Sequence, residues 1–288
     1  MKLCILSAPA LVIGWTCAAW ADPQALPQTP DSVRAVHAGR ILEYSLHGTM
    51  AQTIDGNDML GHPIHQSALP TAIDGHEKIA VKTMSANSMT LGRSGMLTAT
   101  VAGKSRPLHG FARTQVSSEG TVTRDHGTIG GLFLLPLAFL GEKSMHAGAE
   151  LSVGDSWSGQ LGTKLFGMVE RPRLRYSVVG RRSVLGVPVV SIEATGQAKM
   201  KKPVTTNGGQ NLGNATGSAV IDMRIDYDHD NQRVVSLDLR LHDTLRYANA
   251  AGRPRGLVRD REQYLVALDA ASMLNGINPS DSVGGHRP

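Results

Sequence analysis

The sequence predicts a mostly β protein: an antiparallel meander forming a curved sheet or half-barrel, with at most one or two short helices. Two similar halves remain an open version of it. Three observations carry this. Apolar and polar residues alternate over Ile221–Leu245, 32 glycines and 14 prolines punctuate the chain, and one apolar segment, Gly130 to Leu140, is a candidate for a helix or a flap. Successive strand side chains point to opposite faces, so period-two alternation is the mark of a strand with one buried side.

The chain opens Met1-Lys2 and runs uncharged from Leu3 to Trp20, ending Ala19-Trp20-Ala21 before Asp22. A basic start, an apolar stretch and small residues at −3 and −1 form a secretory signal, with cleavage expected after Ala21. Pro9, Gly14 and Thr16 interrupt the run and oppose a retained anchor, and Gly-Trp-Thr before Cys17 is a poor lipobox. The expected division is a signal peptide over 1–21, a flexible leader over 22–38, a β-rich domain over 39–271 and a disordered tail over 272–288. Both cysteines, Cys4 and Cys17, fall in the removed segment, so no disulfide is expected. The formal net charge is +5, to which Lys2 contributes one. That modest excess suits solubility, or attraction to anionic envelope surfaces, better than nucleic acid.

Within the domain, Leu42, Tyr44 and Leu46 alternate first, and Ile79–Val81 and Leu97–Val101 have the β-branched content of strands. Leu174, Tyr176 and Val178 alternate with Arg173, Arg175 and Ser177. Val187–Ile192 has strand length, with Pro188 pointing to an edge. Ile221, Met223, Ile225 and Tyr227 alternate up to a polar turn at Asp228–Gln232; Val235, Leu237, Leu239, Leu241 and Leu245 then resume the pattern. These two arms predict a long hairpin in which Leu239 faces the core and Arg240 the solvent. Tyr264–Leu268 is expected to be a strand. A duplication is one further reading: Thr100–Phe111 aligns with Ser177–Val187, bringing Gly103 onto Gly180 and Gly110 onto Gly186.

Leu134-Leu-Pro136, Leu151-Ser-Val-Gly-Asp-Ser-Trp157, Val178-Val-Gly180 and Gly186-Val-Pro-Val resemble certain exported bacterial proteins of unknown function. Those families open a strand with V-G-D-x-W and follow it with a glycine hairpin. The resemblance covers about residues 39–248 and implies, in outline, a half-barrel like those that carry lipids or lipoproteins between bacterial membranes. Its motifs are turn chemistry, so no functional residue is carried over.

Chemistry-bearing motifs are sparse. His62 and His65 lack a third metal ligand nearby in the sequence. Asp226, Asp228 and Asp230 lack the glycine and closing glutamate of a calcium loop, so a polar turn explains them better. Gly92-Arg-Ser-Gly95 has the wrong spacing for a nucleophile elbow. No catalytic residue, cofactor or metal is expected, although a triad assembled in three dimensions stays open. Trp157 is the one tryptophan after the leader, which disfavours sugar platforms and base stacking.

The suggestive feature is basic: Arg171, Arg173 and Arg175 at period two, with Arg181 and Arg182 in the turn that follows. These five are the candidate ligand-binding residues. Arg253, Arg255, Arg259 and Arg261 repeat the spacing near the end. Aligned guanidiniums repel one another unless they face carboxylates or an anionic partner. A solvated face with Glu170, Asp260 and Glu262 interleaved is the competing explanation. The functional expectation is a non-enzymatic exported protein, periplasmic or secreted, holding a lipophilic or anionic amphipathic ligand. The candidate partners are an anionic lipid or envelope polymer, or an envelope protein. A structural or assembly role and an unrecognised hydrolase are the alternatives.

Overall fold

The computed structural model describes residues 41–58, 60–84, 88–108, 114–117, 121–122, 129–140, 151–231, 233–248 and 252–274. The expected signal peptide, the expected leader and most of the expected tail lie outside them. The described residues form one curved antiparallel sheet of twelve strands. They are β1 (Ile41–Asn57), β2 (Pro63–Ser67), β3 (Thr71–Met84), β4 (Ser88–Val101), β5 (Lys104–Leu108), β6 (Thr114–Ser117), β7 (Ser156–Gln160), β8 (Arg173–Val184), β9 (Val187–Thr205), β10 (Asn211–Asp228), β11 (Arg233–Ala248) and β12 (Pro254–Leu268). A 3-10 segment, Ile129–Leu134, runs into α1 (Leu135–Leu140), and α2 (Ala270–Leu274) follows β12.

The order across the sheet is β5-β4-β3-β1-β12-β11-β10-β9-β8-β7, with β2 on β1 and β6 on β4. Neighbours in sequence mostly pair, as in a meander, but β1 and β12 join the two ends of the chain. On its other edge β1 pairs with β3 through Ile41–Met50 and with β2 through Thr53–Asn57.

Register decides the core. Leu46, Val266, Leu237, Ile225, Ile192 and Val178 stand side by side across six strands, all buried. Against this inner face lies an apolar plug. Every residue from Leu132 to Phe139 is buried, with Phe139 set against Tyr176 and Tyr227 at ring-centroid distances of 5.7 and 6.1 Å. A helical segment that is apolar all round belongs in an interior. The Gly130–Leu140 segment therefore fills the concavity. The opposite face is polar: Leu239 is buried and Arg240 exposed, in the predicted phase.

Three sequence expectations change. Val187–Ile192 is the first part of the 19-residue β9, which runs between β8 and β10 and is no edge strand. Pro188 is tolerated because the β10 pairing ends at Val190, so no ladder partner on that side needs its missing N–H. Arg181 and Arg182 lie inside β8; the turn comes at Leu185-Gly186. The glycine alignment also shifts. Ala102-Gly103 and Leu185-Gly186 are equivalent two-residue hairpin loops, with φ of +49° and +75° in one and +50° and +85° in the other. Consecutive positive φ angles match the twist of the flanking strands. Gly103 thus corresponds to Gly186, while Gly180 sits at a register shift within β8.

Candidate functional site

The structure separates the five predicted arginines. Arg173 and Arg175 project from the outer face of β8, opposite Gln197 and Thr195 of β9. Arg171 precedes the strand, and its guanidinium donates to Thr121 Oγ1 at 2.7 Å. Arg181 and Arg182 come together elsewhere, in a cavity of about 370 Å³ lined also by Leu151, Pro188, Val189, Val190, His229 and Asp230. Arg181 donates to the Leu151 carbonyl at 2.9 Å. The result is a cleft in which two guanidiniums, the Asp230 carboxylate and apolar side chains meet.

Arg182 is fixed by a buried carboxylate. Its Nε donates to Asp226 Oδ1 at 2.9 Å, and its second nitrogen bonds Oδ2. Ser191 donates to Oδ1 at 2.9 Å and Ser236 to Oδ2 at 2.5 Å. Burial opposes the charge on Asp226, but the guanidinium and the two hydroxyls together hold its carboxyl below the ordinary range. Asp228 has a separate role: it caps the β10–β11 turn through Asn231 and anchors Arg233 at 2.9 Å. Arg233 in turn donates to the carbonyls of Ser272 and Met273, tying α2 to the sheet. His62 and His65 pair with Asp58 and Asp55 respectively.

A second polar centre went unread in the sequence. Lys202 of β9 extends along the inner face, and its Nζ reaches Asp243 Oδ2 at 2.7 Å, Asp260 Oδ2 at 3.1 Å and Glu262 Oε1 at 2.7 Å. Phe166 stands over the ammonium, 5.2 Å from Nζ to ring centroid, and Tyr264 donates to Glu262 Oε2 at 3.2 Å. Gly167 makes room for the lysine: a Cβ there would lie 2.7 Å from its Cγ and Cε. Burial alone would lower the Lys202 pKa, but Glu262, Asp260 and Asp243 outweigh it and raise the value. Burial pushes the Asp243 and Glu262 carboxyls up, and the neighbouring carboxylates add to this against the pull of Lys202.

Asp260 and Glu262 thus do not interleave with Arg259 and Arg261 on a solvated face; they are buried on the opposite one. Alternation contained the signal. Lys202 stands in phase with Met200 and Val204, Asp243 with Leu241 and Leu245, and Glu262 with Tyr264. A charge at an apolar-phase position marks a buried polar site.

On the outer face, Arg173, Gln197, Val220, His242 and Arg261 form one row across five strands. At the usual strand spacing this row measures about 19 Å along the sheet. Lys199 and Arg259 occupy the next row, and Lys201 and Arg246 the one after. Two basic stretches distant in sequence therefore share one face.

Comparison with known proteins leaves the chain without a family. No family model matches it, and no curated protein does. Among solved structures it is similar to the Salmonella typhi OmpF complex with daunomycin, at 8% identity and a TM-score of 0.23, over 80% of this chain and 97% of that one. So slight a likeness carries no argument about fold or function.

Proposed function

We propose that this protein is a non-enzymatic, exported envelope protein that binds an anionic amphipathic ligand at the Arg181–Arg182 cleft. The observation that carries the reading is the lining of the cavity: two guanidiniums beside Leu151, Val189 and Val190. Guanidinium forks match the geometry of carboxylate and phosphate groups, and the apolar lining suits the first carbons of a chain. The secretory pattern over residues 1–21 supplies the case for export. Docking through the β5 edge has less support, because that strand carries Lys104, Arg106 and Pro107, residues that discourage strand addition.

The test is calorimetric titration with dodecyl phosphate below its micelle concentration. Arg181 can be changed without stranding Asp226, so Arg181→Gln is the informative variant. It should fold normally and bind about tenfold more weakly, the loss of one charge-assisted hydrogen bond. Dodecanol, which lacks the anion, should bind little to either protein. Equal binding of dodecyl phosphate by the wild type and Arg181→Gln would overturn the reading.

A further inference from the structure

We propose that the inner-face carboxylates form a site for a hard divalent cation of the calcium or magnesium class, entered from a cavity walled by Asp260 and Glu262. The cavity measures about 190 Å³ and is lined also by Met50, Gln52 and Thr71. It is independent of the Arg181–Arg182 cleft.

Hydrogen bonding among the carboxylates is complete except at one atom. Lys202 takes one oxygen from each of the three acids. Asp243 Oδ1 accepts the Asp260 N–H at 3.1 Å, and Glu262 Oε2 accepts the Tyr264 hydroxyl. Asp260 Oδ1 is buried with no hydrogen-bond partner, on a side chain only 7% exposed. A buried carboxylate oxygen without a partner is costly, and it belongs to a residue of the cavity wall.

Charge points the same way. Three carboxylates surround one ammonium, which leaves two negative charges in a site shielded from water. A divalent ion cancels both, whereas a monovalent organic cation leaves one. Ligand oxygens of Asp243, Asp260 and Glu262 lie within 4.8 Å of one another, and since Lys202 holds one oxygen of each acid, an ion would sit beside the ammonium on the Asp260 Oδ1 side. The acids offer oxygen only, and the cavity lining includes Gln52 and Thr71, whose side chains carry an amide carbonyl and a hydroxyl. Such a set selects hard cations over zinc or copper. A water occupies about 30 Å³ of liquid, so the cavity admits an ion that keeps several waters of its shell.

The experiment uses the whole folded protein, stripped with EDTA and titrated calorimetrically with Ca²⁺, Mg²⁺ and Mn²⁺, with thermal melting in parallel. Wild type should bind one ion per chain and melt at a higher temperature when loaded. Asp260→Asn is isosteric and relieves the excess charge, so it should fold; its affinity should fall at least about tenfold. Asp222→Asn, on the outer face, should bind as wild type does. Failure of the wild type to bind all three ions overturns the site, as does undiminished binding by Asp260→Asn. Should circular dichroism show Asp260→Asn misfolded, Thr71→Val replaces it. That variant should bind more weakly at unchanged unloaded stability, and equal affinity there overturns entry from the cavity.

Discussion

The Asp226 and Lys202 networks are both buried in the same sheet, yet they are opposites in composition. Around Asp226 one carboxylate meets one guanidinium and two hydroxyls, and both of its oxygens are used. Around Lys202 one ammonium serves three carboxylates, and Asp260 Oδ1 is left over. The Asp226 carboxyl is held low; those of Asp243 and Glu262 are pushed high. Burial pushes all three carboxyls up, and only at Asp226 is that push outweighed. The number of compensating partners decides the sign. The balanced network is structural and positions Arg182 at the cleft, whereas the overcharged one has capacity for another cation.

The largest effect should come from removing the single cation of the overcharged centre. Lys202→Met leaves three carboxylates facing one another in a buried site, and should cost about 3–5 kcal/mol in urea unfolding. The same operation on the balanced network should be milder. Arg182 is 47% exposed, and Ser191 and Ser236 would still hold Asp226. Arg182→Gln should cost about 1–3 kcal/mol. If the two losses are equal, charge balance does not distinguish the networks.

The subtlest expected difference is in pH dependence, where the two centres act with opposite sign. Asp226 has a folded pKa below its ordinary 3.8, so its stabilisation is present above that value and fades as pH falls through the folded one. Asp243 and Glu262 have folded pKa values above their ordinary 3.8 and 4.5. There the folded state holds the extra protons, so stability is greatest below those values and declines as pH rises through the folded ones. Urea midpoints measured over about pH 3 to 8 should show Asp226→Asn flattening the acid limb and Glu262→Gln flattening the neutral one. Both variants altering the same limb would refute the assignment.

Much of the fold was legible because alternation is a local property. Ile221–Leu245 specifies a hairpin by itself, since each side chain's face follows from that of its neighbour. Strand length was less legible. Val187–Ile192 looked short because Glu193, Thr195, Gly196 and Gln197 follow it, and Pro188 looked like an edge because a sequence does not show where the next strand's ladder stops. Arg181 and Arg182 belong to β8 and not to a turn, which the sequence does not show because the register shift at Val178/Gly180 breaks the alternation before them. What joins Val189, Val190 and His229 to them is the pairing of β8, β9 and β10.

The sequence by itself determined that these are strands, which side of each is apolar, and that glycine loops link them. Backbone geometry fixes those features within a few residues. Only the tertiary structure decided that β1 lies beside β12, that Leu132–Phe139 fills the concavity, and that Lys202 meets Asp243, Asp260 and Glu262. Those acids lie 41, 58 and 60 residues from the lysine. Each is a lone charge in an apolar row until hydrogen bonding sets β9 to β12 side by side, and a buried charge acquires its ionisation from neighbours that the chain's order does not reveal.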